Sequence, residues 1–213
     1  MDKSLITTNQ NAKVALSKSK KLLNITSMIL GEKDEAWIER LWKWADENHI
    51  ANNIIPRNKN ELAIIKEINL SSIENNPNYD IDNGLMTNYK NNYKSKSKID
   101  EIAKELYMLF ALEKLDCSNN NLMKLPKGIK NLHNLTSLNL SHNNIYELTN
   151  EIGILSNLKE LNISFNKLNK LPAEITQLQN VKYLFLKNDN LVLSYMQKKW
   201  LEKIQKKGAI VFI

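Results

Sequence analysis

Histidine and cysteine are the side chains in this sequence that could hold a metal ion or supply a nucleophile. His49, His133 and His142 have no metal-ligand spacing with one another or with Cys117, the only cysteine. The five glycines form no phosphate-binding loop, and the sequence contains neither a nucleophile elbow nor an H-E-x-x-H motif. Cys117 also stands where related segments carry leucine, which indicates a small buried apolar residue. We therefore expect no enzyme, no metal and no cofactor.

The residues around Cys117 belong to an arrangement that recurs four times with a period of 23 residues. Each copy has two apolar residues separated by one residue, then Asn or Asp three residues later, then another apolar residue. The apolar pairs are Leu115 and Cys117, Leu138 and Leu140, Leu161 and Ile163, Leu184 and Leu186; the polar residues are Asn120, Asn143, Asn166 and Asp189; the last apolar residues are Leu122, Ile145, Leu168 and Leu191. Alternating apolar residues occupy one face of a short strand. One such strand cannot bury its face alone, so the copies must stack.

The segments "LPKGIKNLHNLTSLNLSHNNI" and "EIGILSNLKELNISFNKLNKLPAEITQL" resemble leucine-rich repeats, in a form common in small bacterial proteins. The resemblance covers residues 62–73 and 99–193. It implies an α/β leucine-rich repeat solenoid with a curved parallel sheet, whose concave face often contacts protein partners. The asparagines are interpreted as structural, because their amides can satisfy backbone groups in the turns. Asp189 predicts that this ladder ends or loosens in the last copy.

The flanks are predicted to cap the solenoid at both ends. Residues 1–61 should form a helical N-terminal region, with a helix at 11–30 that Gly31 stops. A second helix carries three tryptophans, of which we expect Trp44 to stay partly exposed; a partner-binding aromatic surface is the alternative for this helix. Residues 194–213 should form a helix and a closing strand. The apolar stripe of that C-terminal helix is predicted to comprise Tyr195, Met196, Trp200, Leu201 and Ile204.

The repeat region, residues 62–193, contains one polar insertion at about 74–98. A first repeat strand is predicted at 66–71. A strand hidden inside the insertion would need apolar residues where Asn92 and Lys94 stand, so we reject it. Long segments of this polar composition are either disordered or functional. A helix starting at Ser97 is predicted to lead the chain back into the solenoid.

Side chains that alternate with the core leucines are predicted to form three columns on the concave face. The first column is Glu67, Lys114, Ser137, Glu160 and Tyr183; the second is Asn69, Asp116, Asn139, Asn162 and Phe185; the third is Ser71, Ser118, Ser141, Ser164 and Lys187. We predict partner contacts for the first two columns and for Lys187. Tyr183 and Phe185 depart from the polar pattern, and aromatic residues are enriched at interface hot spots. They either pack beneath the C-terminal cap or anchor a partner.

The net charge is +7, and the lysines cluster at 90–98 and in the last helix. We interpret them as a solvated surface, because no recognition helix or zinc ligands accompany them. A basic protein bound to membrane surfaces or nucleic acid is the alternative. No apolar run could span a membrane and no secretory signal is apparent. We expect a cytoplasmic monomer that binds a protein partner and no small-molecule substrate; the alternatives are secretion by a signal-independent route and delivery into host cells as a bacterial effector.

Overall fold

The computed structural model describes residues 17–23, 36–72 and 98–213. The expectations for the remaining residues lie outside these ranges. They include most of the first helix with its Gly31 stop, nearly all of the insertion, and the helix start at Ser97.

The described residues form helices, parallel strands and short 3-10 helices in a regular order. Helix α1 is helical over residues 17–23, and the other α-helices are α2 (Ala36–Glu47), α3 (Lys59–Ala63) and α4 (Tyr195–Lys206). The strands are β1 (Glu67–Asn69), β2 (Lys114–Asp116), β3 (Ser137–Asn139), β4 (Glu160–Asn162), β5 (Tyr183–Phe185) and β6 (Ile210–Phe212). The 3-10 helices span Lys104–Met108, Lys127–Asn131, Asn150–Ile154 and Ala173–Gln177.

The strands pair in chain order into one six-stranded parallel sheet, which confirms the predicted solenoid. Leu115, Leu138, Leu161 and Leu184 are register partners from strand to strand, and each is at most 1% exposed. Each strand thus buries its central apolar side chain against the side chain at the equivalent position of the next coil. Stacking, rather than the stability of any one coil, holds the sheet together.

The insertion leaves the pairing of the first two strands undisturbed. Ile68 of β1 is the direct partner of Leu115 in β2, so no strand lies between them, as predicted. After the insertion, the backbone N–H of Ile99 donates to Asn120 Oδ1 at 2.9 Å, just as Leu122 N–H donates to Asn143 Oδ1 at 3.0 Å one coil later. Ile99 therefore takes the place in its coil that Leu122 takes in the next.

The return side of each coil is a single 3-10 turn. The helix predicted to rejoin the solenoid is wrong in its described part, because residues 98–103 are not helical and a 3-10 helix begins only at Lys104. In the later coils Pro126, Thr149 and Pro172 precede this turn in extended conformation, with ψ of 154°, 147° and 150°. A chain that must return to the next strand within 23 residues has room for about one such turn.

Helix α2 packs against the first described coil. Trp37, Ile38, Leu41 and Ala45 are at most 1% exposed and belong to the same buried cluster as the leucines of the repeats. Arg40 Nε lies 2.8 Å from Glu105 Oε1, and Trp44 Nε1 donates to the Glu101 carbonyl at 3.1 Å. Trp44 is half-buried as predicted, but Trp42 is half-buried as well. Its Nε1 donates to the Pro56 carbonyl at 2.9 Å.

The predicted stripe of α4 is wrong at its first turn. Trp200, Leu201 and Ile204 are buried, whereas Tyr195 and Met196 are 71% and 68% exposed. Ser194 and Gln197 form a capping box, and the Gln197 amide also donates to the Leu171 carbonyl at 3.0 Å. This pair of contacts turns Gln197 inward at the helix start, and its two apolar neighbours outward.

Two neighbouring coils lie close together at Gly153. A Cβ added there would lie 2.4 Å from the backbone carbonyl oxygen of Glu174 in the next coil. We expect Gly153→Ala to destabilise the protein by about 1–3 kcal/mol, the usual cost of overpacking, measured by urea unfolding. Lys130→Ala is the matched control, because Lys130 holds the same place one coil earlier and is exposed. Equal stability of the two variants would contradict this close approach.

Candidate functional site

The face of the sheet that points away from the buried leucines is the predicted concave face, and we call it the open face. The burial pattern of each strand alternates, with an exposed or half-buried residue on either side of a buried one. Residues of the first and second predicted columns occupy these outward positions, and Lys187 is exposed at the edge. The strands thus bring ten of the eleven predicted residues onto one surface, and Lys187 follows the end of β5.

The first column is partly neutralised by its own contacts. Lys114 Nζ lies 2.7 Å from Glu67 Oε1, and this hydrogen bond, reinforced by the carboxylate's charge, raises the pKa of Lys114. Ser137 Oγ donates to Glu160 Oε2 at 3.2 Å. Charges and hydroxyls on the first four strands therefore have partners within the sheet.

The second column is largely occupied with shaping the turns that follow the strands. Asn139 Oδ1 accepts hydrogen bonds from the backbone N–H and the hydroxyl of Ser141 at 3.1 and 2.8 Å. Asn162 binds Ser164 in the same way, at 3.1 and 2.7 Å. These are Asx turns, in which a side-chain oxygen takes the place of a backbone acceptor.

The Asx turns also explain why the third predicted column is wrong at Ser118, Ser141 and Ser164, whereas Ser71 is half-buried. Ser118, Ser141 and Ser164 are each only 5% exposed. The hydroxyls of Ser141 and Ser164 point back to the asparagine two residues earlier, so they are unavailable to a partner. Only Lys187 of this column is exposed, because the last strand has no serine there.

The open face changes character at its last two strands. Tyr183 is 44% exposed, and the half-buried ring of Phe185 stacks on Phe212 with centroids 4.6 Å apart. In β6, Ile210 and Phe212 are 49% and 50% exposed. Strand β6 lies beside β5 and pairs with it, and Ile210 and Phe212 are the register partners of Tyr183 and Phe185. We call these four residues the apolar strip; the sequence interpretation placed only its first two members.

A second aromatic contact lies in the turns that follow the strands. His142 and Phe165 stack with ring centroids 4.4 Å apart, and Lys187 Nζ lies 5.5 Å from the centroid of the Phe165 ring. Asn119, His142 and Phe165 all have positive φ, at 57°, 54° and 55°. This left-handed conformation is uncommon for bulky residues, but here it recurs at the same position of three consecutive coils and belongs to the repeat. Sequence reasoning missed the stack, although the spacing of 23 residues between the two rings was visible.

The asparagine ladder lies directly beneath these turns. The Asn143 amide donates to the carbonyls of Cys117, Leu140 and Ser141 at 2.9, 3.0 and 3.2 Å, so it joins its own coil to the preceding one. Asn120 and Asn166 make the corresponding contacts, each reaching one carbonyl of the coil before it.

Of the two outcomes predicted for the last copy, an end of the ladder at Asp189 is wrong, because the ladder continues at Asn188. Asn188 takes the place one residue earlier and donates to the carbonyls of Ile163 and Leu186 at 3.0 and 2.8 Å. Its Oδ1 accepts the backbone N–H of Asn166 at 2.8 Å. Asp189 is exposed, since a carboxylate has no N–H to donate to these carbonyls.

A shallow polar cleft of about 470 Å³ adjoins the apolar strip at the start of β5 and β6, and Lys182, Tyr183 and Lys207 are among its lining residues. Within the described ranges, no group of three or more His, Cys, Asp or Glu is placed to hold a metal. None of the helices in those ranges has the length and apolar composition that crossing a membrane requires.

Comparison with known proteins places the repeats in context. The family model described as Leucine Rich Repeat matches residues 111–132, 134–155 and 157–178. A leucine-rich repeat protein of Leptospira interrogans is 34% identical, with 55% of this chain and 29% of that chain covered and a TM-score of 0.48. The ectodomain of the Arabidopsis thaliana receptor kinase GASSHO1/SCHENGEN3, solved with CASPARIAN STRIP INTEGRITY FACTOR 2, is 27% identical, with 63% and 14% covered and a TM-score of 0.47.

The functional domain of InlJ from Listeria monocytogenes is 23% identical, with 56% of this chain and 27% of that chain covered and a TM-score of 0.41. The matched region spans less than a third of each of these three chains. Among proteins with curated descriptions, none matches this sequence.

The ladder predicts a large effect of one polar substitution. Asn143→Ala removes the donors to three carbonyls and the acceptor for Leu122 N–H. A buried polar group left unpaired costs about 1–3 kcal/mol, so we expect a loss of at least about 2 kcal/mol in urea unfolding. Asn144→Ala, at the half-buried neighbour, is the control and should cost much less. Similar unfolding midpoints for both variants would show that the ladder does not stabilise the coils.

Proposed function

Because the chain is a leucine-rich repeat protein, we propose that it is a non-catalytic interaction module that binds a protein partner on its open face. The leucine-rich repeat fold is a common protein–protein interaction module. The observation that supports this face is the pair Tyr183 and Phe185, which occupies outward positions on β5, whereas the outward positions of β1 to β4 are polar. The same positions hold Ser137 and Asn139 in β3, and Glu160 and Asn162 in β4.

The two ends of the open face differ in how favourable it would be for a partner to cover them. On β1 to β4, an ion pair and Asx turns already satisfy much of the polar surface, so contacts there would exchange one set of hydrogen bonds for another. On β5, aromatic surface remains in water and its burial by a partner would be favourable. We therefore place the anchor of the partner at Tyr183 and Phe185, with the polar columns providing complementarity around it.

Lys187 extends the proposed contact to the edge of the sheet. Its ammonium lies over the Phe165 ring, and no described carboxylate lies within ion-pair distance of it. A carboxylate of the partner could pair with this ammonium while the partner's apolar atoms cover the aromatic rings. The turns carrying His142 and Phe165 would then form one side of the binding surface.

Replacing both anchors by serine tests this assignment. Hot-spot residues contribute about 2 kcal/mol or more to binding, so Tyr183→Ser with Phe185→Ser should weaken partner capture by at least about tenfold. Proteins retained from native lysate by the wild type and by the double variant are compared by quantitative mass spectrometry. The partner is the protein whose recovery falls with the double variant.

The control exchanges two exposed apolar residues outside the sheet, Met123→Ser and Tyr146→Ser, which are 60% and 45% exposed in the wild type. Urea unfolding of all variants checks that the fold is retained. Undiminished recovery with the Tyr183 and Phe185 double variant would refute the anchor, and equal loss with the control would remove its assignment to the open face.

A further inference from the structure

Among the described residues, the last strand of the sheet has an open edge. Strand β6 pairs with β5 on one side and is the final strand in the sheet order. The backbone N–H of Ile210 donates to the Lys182 carbonyl at 2.8 Å, and the Phe212 carbonyl accepts from Leu186 N–H at 2.7 Å. Those groups face β5, so the N–H and carbonyl of Val211, midway between them, point to the opposite side. No other strand in the described part of the chain occupies that side.

The two end strands of the sheet differ in how their outward positions are filled. Strand β1 presents Glu67 and Asn69, which are polar, whereas β6 presents Ile210 and Phe212 at about half exposure. Terminal repeats normally carry a polar outer surface that keeps the solenoid soluble. Edge strands are usually protected by lysine, proline or a bulge, and β6 has none of these. An apolar edge strand without these protections is the kind that pairs with another strand.

A second β6 satisfies this edge in one simple register. An antiparallel pair centred on Val211 lets the two Val211 residues exchange both backbone hydrogen bonds. Ile210 of each copy then lies opposite Phe212 of the other, on the same face as the apolar strip. The strip would double in length, from four residues in one chain to eight in a continuous sheet. In such a two-fold contact both copies use the same strand, so no second binding surface is needed.

Electrostatic repulsion between the two copies does not oppose the pairing of their β6 strands. The charged residue closest to β6 in sequence is Lys207, four positions before Val211. In the antiparallel register the two Lys207 residues are about eight residues apart along the paired strands, roughly 27 Å at about 3.4 Å per residue. That is about three times the distance of about 8 Å over which physiological salt screens exposed charges.

We propose that this protein forms a two-fold dimer through antiparallel pairing of β6 with β6 of a second copy. The proposal replaces the monomer expected from the sequence and goes beyond the partner-binding function above. The shared surface is a short strand with a few apolar side chains. Contacts of that size are weak, so the dimer dissociates on dilution.

Sedimentation measurements over a concentration series test the association. The average mass should rise from the 24.7 kDa of one chain toward twice that value. Phe212→Lys places a lysine on the edge strand, the device that natural sheets use against such pairing, and should keep the protein monomeric. Tyr146→Lys is the matched control, because Tyr146 is an exposed aromatic residue outside the sheet. It should dimerise like the wild type.

Disulfide trapping tests the register. Ile210→Cys and Phe212→Cys are prepared as separate proteins; Cys117 is 1% exposed and does not compete. Opposed residues in an antiparallel pair have Cα atoms about 4.5 Å apart, within disulfide reach, whereas the two copies of residue 210 lie about 7–8 Å apart on a diagonal. Mixing the two proteins should therefore give a covalent dimer many times faster than either protein alone.

Three results would overturn the dimer. The first is a wild-type mass that stays at one chain up to about 1 mM. The second is undiminished dimerisation of Phe212→Lys. The third is trapping that is as fast within one cysteine variant as in the mixture. None of these bears on partner capture by Tyr183 and Phe185, which is measured on the folded chain at concentrations where it is monomeric.

Discussion

The hydrogen bonds of the buried asparagines join each coil to the coil before it. A turn that leaves a strand exposes carbonyls toward the interior, where water cannot reach them, and each must find a donor. Asn143 supplies donors to carbonyls of two coils at once, and its oxygen holds the N–H of Leu122 in the preceding coil. The leucines would bury their surface in many arrangements. The amides, together with the pairing of the parallel strands, fix which residues of neighbouring coils meet.

The asparagine hydrogen bonds divide the residues into those that stabilise the fold and those that can vary and contact a partner. The leucines of the strands are buried, the ladder asparagines are buried or half-buried, and all of them are committed to the fold. The Asx turns commit part of the open face as well. Outward positions of a strand remain variable without cost to the stack. On β5 and β6 those positions carry Tyr183, Phe185, Ile210 and Phe212 in place of small polar residues. The surface that distinguishes this solenoid from a generic one lies at its C-terminal end.

Periodicity explains which features the sequence could predict. Strand positions, core leucines and the exclusion of a hidden strand all follow from the spacing of apolar residues, and β1 pairs with β2 as that spacing requires. The predictions were wrong where the 23-residue period is interrupted. Asn188 replaces Asp189 because the turn after β5 reaches the ladder one residue earlier than the turn after β4. The phase of α4 depends on the Ser194–Gln197 capping box rather than on hydrophobicity. The outward side of β6 could not be assigned, since α4 interrupts the repeat before it.

The insertion between Ser72 and Ile99 indicates where the solenoid tolerates added residues. The coil opens after Ser72 and closes at Ile99, yet β1 and β2 keep the register found between every other pair of strands. Closing a longer loop costs little, about 0.6 kcal/mol for each doubling of its length. The equivalent turns of the later coils carry the ladder residues Asn120, Asn143 and Asn166, so a foreign peptide grafted there must follow the asparagine to leave its hydrogen bonds in place and be displayed beside the sheet.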